Sequence, residues 1–295
     1  MQVSRLSSSL ANTLRVACVQ LAANADVAAN IERAELGVRE AAARGARLIT
    51  LPEKWNAIGE AHVLRAAAEP IDGPTITRVR AWARELDCWI LAGSIVMTEP
   101  GDDRLRNVSV LIDPSGTIRA SYAKLHMFDV DIAGVRYRES DTERGGDEIV
   151  LSDVDGTALG MTICYDLRFP ELYRILALRG ARIVTVPAAF TLMTGRDHWE
   201  VLLRARAIEN QCFIVAPDII GAHGAGKVSY GHSMIVDPWG TVIARAPDAE
   251  AVIVADLDLD AVDRVRASIP SLATRRGDVY DWTDLPSSLR TPSTT

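Results

Sequence analysis

Short apolar, β-leaning runs alternate along this chain with stretches whose apolar residues recur at helical spacing, and that alternation restricts the fold more than any other feature. Residues 14–21 (LRVACVQL) have the length and composition of a strand. In 27–44 the apolar positions Val27, Ile31, Ala34, Val38 and Ala41 mark a helix, and Gly45 stands where a helix C-terminal glycine is expected. Residues 47–51 read as a buried strand, 74–86 as a helix, and 89–96, 107–113 and 117–122 as strands. The turn sequence Asp113-Pro114-Ser115-Gly116 joins the last two as a hairpin. The second half repeats the pattern, with strands expected at 157–163, 182–187, 212–216, 231–236, 241–245 and 251–256. Helices are expected at 170–178, 198–210 and 259–267. Between the halves, 125–148 is polar and without clear period, and a connection that long points to function. Strands mixed with helices and hairpin-like returns predict a layered α/β sandwich, not a purely parallel sheet.

Nothing in the sequence divides this alternation. There is no repeat of solenoid period and no linker rich in Pro, Gly or Ser. Residues 14–285 are therefore expected to form one domain, between an N-terminal tail, 1–13, and a loose Ser/Thr/Pro-rich tail, 286–295. With 32 Lys+Arg against 39 Asp+Glu the net charge is −7, which argues against a nucleic-acid partner. The six tryptophans are scattered and form no stacking stripe. No apolar run approaches the roughly 18 residues that span a bilayer, and the Ser-rich start lacks the apolar centre of a secretory signal. Four cysteines make no disulfide scaffold, and no Cys-x-x-Cys pair suggests zinc. The expectation is a mildly acidic cytoplasmic protein with no membrane or nucleic-acid partner and no metal.

Three predicted strands deliver a chemically capable side chain at or just past their carboxyl ends. Cys164 ends the run Leu159-Gly160-Met161-Thr162-Ile163 and precedes YDLRFPE, in which Pro170 and Glu171 open a helix. A strand–Cys–turn–helix arrangement exposes the thiol and aims backbone N–H groups at its ligand, as in a nucleophile elbow. Cys18 and Cys212, inside apolar strands, and Cys88, at the entry to one, read as buried structural thiols. Glu53 follows Pro52 at the end of one strand; Lys124 follows Tyr122-Ala123 and opens the long polar stretch. Reactive groups at several strand ends are the pattern of a site built on a sheet. A thiol also takes histidine as its base, and none of His62, His126, His198, His223 and His232 has a distinguishing context. On the residues alone a Cys–His hydrolase stays open.

Two apparent motifs drop out. Residues 221–228 (GAHGAGKV) match the first seven positions of a phosphate-binding loop, then place Val228 where a Ser or Thr must hold Mg²⁺. They also lead into a strand rather than a helix whose N-terminus would bind phosphate. Arg276-Gly277-Asp278 reads as a chance tripeptide.

LPEKWN around Glu53, YAKLHMFD around Lys124 and GMTICYDLRFPE around Cys164 resemble the three catalytic motifs of the nitrilase (carbon–nitrogen hydrolase) superfamily, in that family's order. HWEVLLRARAIENQ (198–211) and SYGHSMIVDPWG (229–240) extend the resemblance, which runs from about residue 15 to 280. It implies a four-layer α-β-β-α sandwich with mixed sheets, stacking through helices into an αββααββα homodimer or a higher oligomer. It also implies a Glu53–Lys124–Cys164 amidase mechanism without metal or organic cofactor. Glu53 would take the thiol proton, and Lys124 with the backbone N–H of Tyr165 would hold the oxyanion. Water would then hydrolyse the thioester. A second glutamate that positions substrate or water is best matched by Glu139, in Tyr137-Arg138-Glu139-Ser140.

Within the superfamily, RFPE at 168–171, HWEVLLRARAIE and SYGHSMIVDPWG look most like Nit-type amidases, which act on deaminated glutathione or on ω-amides of 2-oxo acids. The expected substrate is a small linear carboxylate-bearing amide of the deaminated-glutathione kind. The alternative is an ω-amidase acting on 2-oxoglutaramate or 2-oxosuccinamate; an N-carbamoyl amino-acid hydrolase or aliphatic amidase comes behind it. A nitrilase-like binding or scaffold protein is the alternative from another class, and retention of all three reactive residues argues against it. An anionic substrate needs a local cation on an acidic protein. Arg168, four residues past the nucleophile, is the expected carboxylate anchor, because a guanidinium binds a carboxylate bidentately. Arg204 and Arg206, two apart on a predicted helix, face different directions and are expected to serve packing or interface salt bridges.

Overall fold

Burial along the first strand, Thr13–Gln20, sets out the layers of the structure, a computed structural model that describes residues 12–280 except Ala133 and Ala225. The expected tails lie outside the described residues, save Asn12 and Thr13 of the N-terminal one, of which Thr13 opens this strand. Leu14, Val16 and Cys18 join one apolar cluster, and Ala17 and Val19 join another, as the two-residue period of a strand requires. The strand belongs to a seven-stranded mixed sheet, with Ala251–Asp258 antiparallel on one side and Leu48–Thr50 parallel on the other. Trp89–Leu91 continues in parallel, and Asp102–Ile112 then pairs with Trp89–Leu91, Ile95–Glu99 and Ile118–Ala123 in antiparallel fashion.

The second cluster packs Ile49, Leu51 and Ile90 against Ala34, Val38 and Ala41 of helix Val27–Ala43 and Ile76, Val79 and Trp82 of helix Pro74–Leu86. The first cluster joins the sheet's other face to a six-stranded sheet. That sheet runs in the order Val242–Arg245, Met234–Val236, Phe213–Ala216, Ile183–Thr185, Thr157–Met161, Leu151–Val154. Helices Pro170–Leu178 and Glu200–Asn210 pack on it through Leu172, Leu176, Leu203 and Ala207. The layers are helix, sheet, sheet, helix, and each fully buried Val, Leu or Ile between them stabilises the fold by about 1.5–3 kcal/mol. Among the described residues no helix is long and apolar enough to cross a membrane.

Departures from the sequence expectation are local. The strand expected at 89–96 is split into Trp89–Leu91 and Ile95–Glu99, because Gly93 turns the chain at φ +53. A Cβ there would lie 2.0 Å from the carbonyl oxygen of Pro52, an approach that only glycine permits. The polar stretch 125–148 holds a hairpin, Asp129–Ile132 with Val135–Arg138, and a 3₁₀ turn, Glu139–Asp141. The helix expected from 198 begins as a π-helical turn, Gly195–Trp199, and continues as Glu200–Asn210. The strand expected at 231–236 shortens to Met234–Val236, and the preceding glycine loop is the tip of a hairpin, Ile220–Ala222 with Val228–Tyr230. Helix Ala61–Ala67 has too few residues for its period to show in the sequence.

Candidate active site

The segments expected to carry chemistry meet at one end of the paired sheets. Strands Leu48–Thr50 and Ile118–Ala123 lead to Glu53 and Lys124, and Thr157–Met161 of the other sheet leads to Cys164. All three line a cavity of about 250 Å³, together with Lys54, Glu139, Glu143, Tyr165 and Phe190.

Lys124 is 2% exposed. Its Nζ lies 2.9 Å from Glu53 Oε1 and 3.0 and 2.8 Å from the two oxygens of Glu139. Burial opposes the charge, yet Glu139 and Glu53 hold the ammonium well above the ordinary lysine range. Glu53 Oε1 also accepts from Asn107 Nδ2 at 2.8 Å, and Oε2 accepts from the Ala189 N–H at 2.9 Å. The Glu139 side chain is only 9% exposed, but Lys124 and Lys54 overcome its desolvation and keep its carboxyl far below the usual range. Its Oε2 further accepts from the Phe128 N–H at 2.8 Å.

Cys164 has φ +45, a left-handed conformation that strains a non-glycine residue. Its N–H donates to Pro187 O at 2.9 Å, and it opens the 3₁₀ turn Cys164–Arg168 that precedes helix Pro170–Leu178. The N–H of Tyr165, second in that turn, is among those a helix start leaves without an intrahelical acceptor. Burial and the Glu53 charge push the thiol well above its free value, with Lys124 acting in the opposite sense. The thiol therefore holds its proton at neutral pH, and Glu53 is the acceptor beside it. Burial raises the other three thiols as well, Cys18 and Cys212 to about 12 and Cys88 to about 11.

Asp166, unmarked by any sequence signal, pins this turn. Fully buried, it accepts from the Ile163 N–H at 2.9 Å, the Tyr122 hydroxyl at 2.7 Å and the His126 N–H at 3.1 Å, with His126 Nδ1 at 2.7 Å. Those partners precede Cys164 and flank Lys124, so one carboxylate ties the two together. His126 also stacks on Phe169, ring centroids 3.5 Å apart. Buried Arg206 donates to Leu167 O at 3.0 and 2.8 Å, whereas Arg204 is exposed, donates Nε to Gly240 O at 2.8 Å and lies 3.7 Å from Glu200.

Lys54 and Glu143 were not anticipated. Lys54, at φ +50, places Nζ 2.8 Å from Glu139 Oε1 and 2.6 Å from Glu143 Oε1. Burial pushes the Glu143 carboxyl up to about 7, with Lys54 working against it. A lysine after a strand end reads as a solvated residue, and its partner lies 89 positions away, so no local signal exists.

Arg168 does not line the cavity. Its guanidinium sits 6.0 Å from the Tyr165 ring centroid and 5.3 Å from that of Phe190, with Nη1 and Nη2 each 3.4 Å from His198 Nδ1. The glycine-rich hairpin instead brings His223 and Lys227 to the lining. Arg276 and Asp278 pair with each other at 2.7 Å.

Residues 15–267 match the carbon–nitrogen hydrolase family. The chain is 41% identical to the deaminated glutathione amidase of Yersinia enterocolitica, across 88% of this chain and 92% of that protein. It is 36% identical to the omega-amidase NIT2 of Homo sapiens, across 91% of this chain and 97% of that one. Its fold matches the crystal structure of Saccharomyces cerevisiae Nit3 with a TM-score of 0.81 at 29% identity, across 90% and 96% of the two chains. It matches the C. elegans NitFhit protein with a TM-score of 0.85 at 38% identity, across 91% of this chain but only 66% of that longer one. With the match spanning both sheets and every segment that lines the cavity, the chain belongs to the carbon–nitrogen hydrolase family and is a hydrolase of carbon–nitrogen bonds other than peptide bonds.

Proposed function

We propose that this protein hydrolyses a small linear carboxylate-bearing amide of the deaminated-glutathione type through a thioester on Cys164. The observation that carries this is the gathering of Cys164, at its strained φ, with Glu53 and Lys124 on one cavity, where Glu53 is held by hydrogen bonds from Lys124, Asn107 and Ala189. Glu53 takes the Sγ proton as the sulfur bonds to the amide carbonyl carbon. The oxyanion is stabilised by Lys124 and the Tyr165 N–H; one such donor is worth about 2.7–4 kcal/mol in other acyl-transfer sites. Collapse breaks the C–N bond, and the amine or ammonia leaves with the proton held by Glu53. Water then attacks the thioester, gives a proton to Glu53, and the acid departs as Cys164 recovers its proton. Glu139 holds Lys124 in place throughout, and a cation outside this charged row answers the substrate carboxylate.

The name of the Yersinia relative favours deaminated glutathione, and the omega-amidase relatives favour 2-oxoglutaramate as the second substrate. Incubation with each, with the acid product quantified, separates the two. No turnover of either removes the substrate assignment, and residual turnover in Cys164→Ala removes the thioester. We further assign a cytoplasmic location, where reducing conditions keep the four cysteines free, and one domain spanning 14–285. Self-association is assigned to helices Pro170–Leu178 and Glu200–Asn210, whose Ile175, Leu178, Val201 and Ile208 are exposed.

A further inference from the structure

The cations at the floor of the cavity are already engaged. Lys124 and Lys54 are bonded to Glu53, Glu139 and Glu143. Arg138, also on the lining, gives Nη2 to Asp131 at 2.7 Å and Nη1 to the carbonyls of Val130 and Tyr137. An anionic ligand therefore meets two ammonium groups that already face three carboxylates.

Lys227 differs. It lines the same cavity, and among the described residues its ammonium has no ion pair and no hydrogen bond. Its Nζ lies 5.2 Å from the ring centroid of Tyr137, on the other small hairpin. Between 219 and 232 the chain holds no carboxylate that could neutralise it.

The hairpin carrying Lys227 is registered on the site rather than loosely attached. Tyr230 N–H donates to Phe190 O at 2.8 Å, and Ser229 bridges to Thr191. Ala189, next in that segment, holds Glu53 Oε2. His223 N–H donates to Lys227 O at 3.1 Å and Lys227 N–H to Gly224 O at 2.9 Å, which closes the turn. His223 Nε2 lies 3.0 Å from Ser229 Oγ, and burial and the Lys227 charge push its ring down to about 4. The imidazole stays neutral, and Lys227 is the hairpin's only charge at the cavity.

We propose that Lys227 binds a carboxylate carried by the substrate at the end remote from the scissile amide, and so selects anionic over neutral amides. This rests on the amidase reading above and names the side chain that senses the substrate's charge. A lysine suits the task because its ammonium is a compact point charge on a flexible stem, and the partly apolar walls strengthen its attraction.

The test measures binding without turnover. Cys164→Ala protein, with and without Lys227→Ala, is titrated calorimetrically with glutaramate and with its uncharged methyl ester. Lys227→Ala should weaken glutaramate about tenfold and the ester less than about twofold, and Lys227→Arg should restore the preference. The proposal is overturned if Lys227→Ala weakens both ligands equally or neither. It also falls if the Cys164→Ala protein shows no preference for glutaramate, or if Arg168→Ala gives the selective loss instead. Product release from the parent enzyme is measured alongside; its absence with both amide substrates named above removes the amidase reading, independently of the charge preference.

Discussion

Both carboxylate oxygens of Glu139 accept hydrogen bonds from Lys124 Nζ, at 3.0 and 2.8 Å, across a separation of 15 residues. The pairing extends into a row of alternating charge: Glu53, Lys124, Glu139, Lys54, Glu143. Each member is costly to bury alone, and each has an opposite charge at hydrogen-bond distance, which offsets desolvation. Disturbing one member therefore changes its neighbours in a direction that can be stated.

Glu53→Gln separates two effects of one carboxylate on the thiol. After burial, the Glu53 charge is the next largest influence raising the Cys164 pKa, so its loss should lower the pH midpoint of Cys164 alkylation. Its loss also removes the proton acceptor, so turnover should fall by about 10²–10⁴-fold. Iodoacetamide labelling read by mass spectrometry gives the midpoint; an unchanged midpoint would leave burial as the sole cause.

Glu143→Gln should change how stability depends on pH. The folded carboxyl is raised from 4.5 to about 7, so the folded state binds this proton more tightly than the unfolded chain. That contribution is full below the ordinary carboxylate range and is lost as pH climbs to about 7. Glutamine has no such loss. Its Tm relative to the parent should rise between about pH 5 and pH 8, and a difference independent of pH would exclude Glu143 as the titrating group.

Asp166→Ala should cost about 3 kcal/mol, since it leaves buried donors from Ile163, Tyr122 and His126 without their acceptor. Chemical denaturation measures the loss. Turnover should fall in the surviving folded fraction too, because the turn bearing Cys164 loses its tie to the strand before Lys124. Full activity per folded molecule would show that the φ +45 conformation holds without this tie.

Val201→Glu with Ile208→Glu should convert a self-associated protein to monomer, by charging two exposed apolar positions seven apart on one helix. Sedimentation equilibrium reads the outcome. An unchanged mass would place the interface elsewhere.

The sequence by itself determined the layers and the three strand ends at which Glu53, Lys124 and Cys164 stand. Strand and helix periods are local, so Val16 and Cys18 separate from Ala17 and Val19 without knowledge of what each face will meet. The end of an apolar run is equally local, and each of the three reactive residues follows one. Glu139 became visible through family resemblance and not through spacing. Lys54, Glu143 and Asp166 were decided by the tertiary structure, because whether a charge is buried depends on partners brought from far along the chain. The cations show the same division: Arg168 stands nearest the nucleophile in sequence, yet folding turns its guanidinium to the rings of Tyr165 and Phe190 and brings Lys227 to the cavity. Hydrophobic periodicity is written residue by residue, whereas charge compensation is a property of distances that only folding creates.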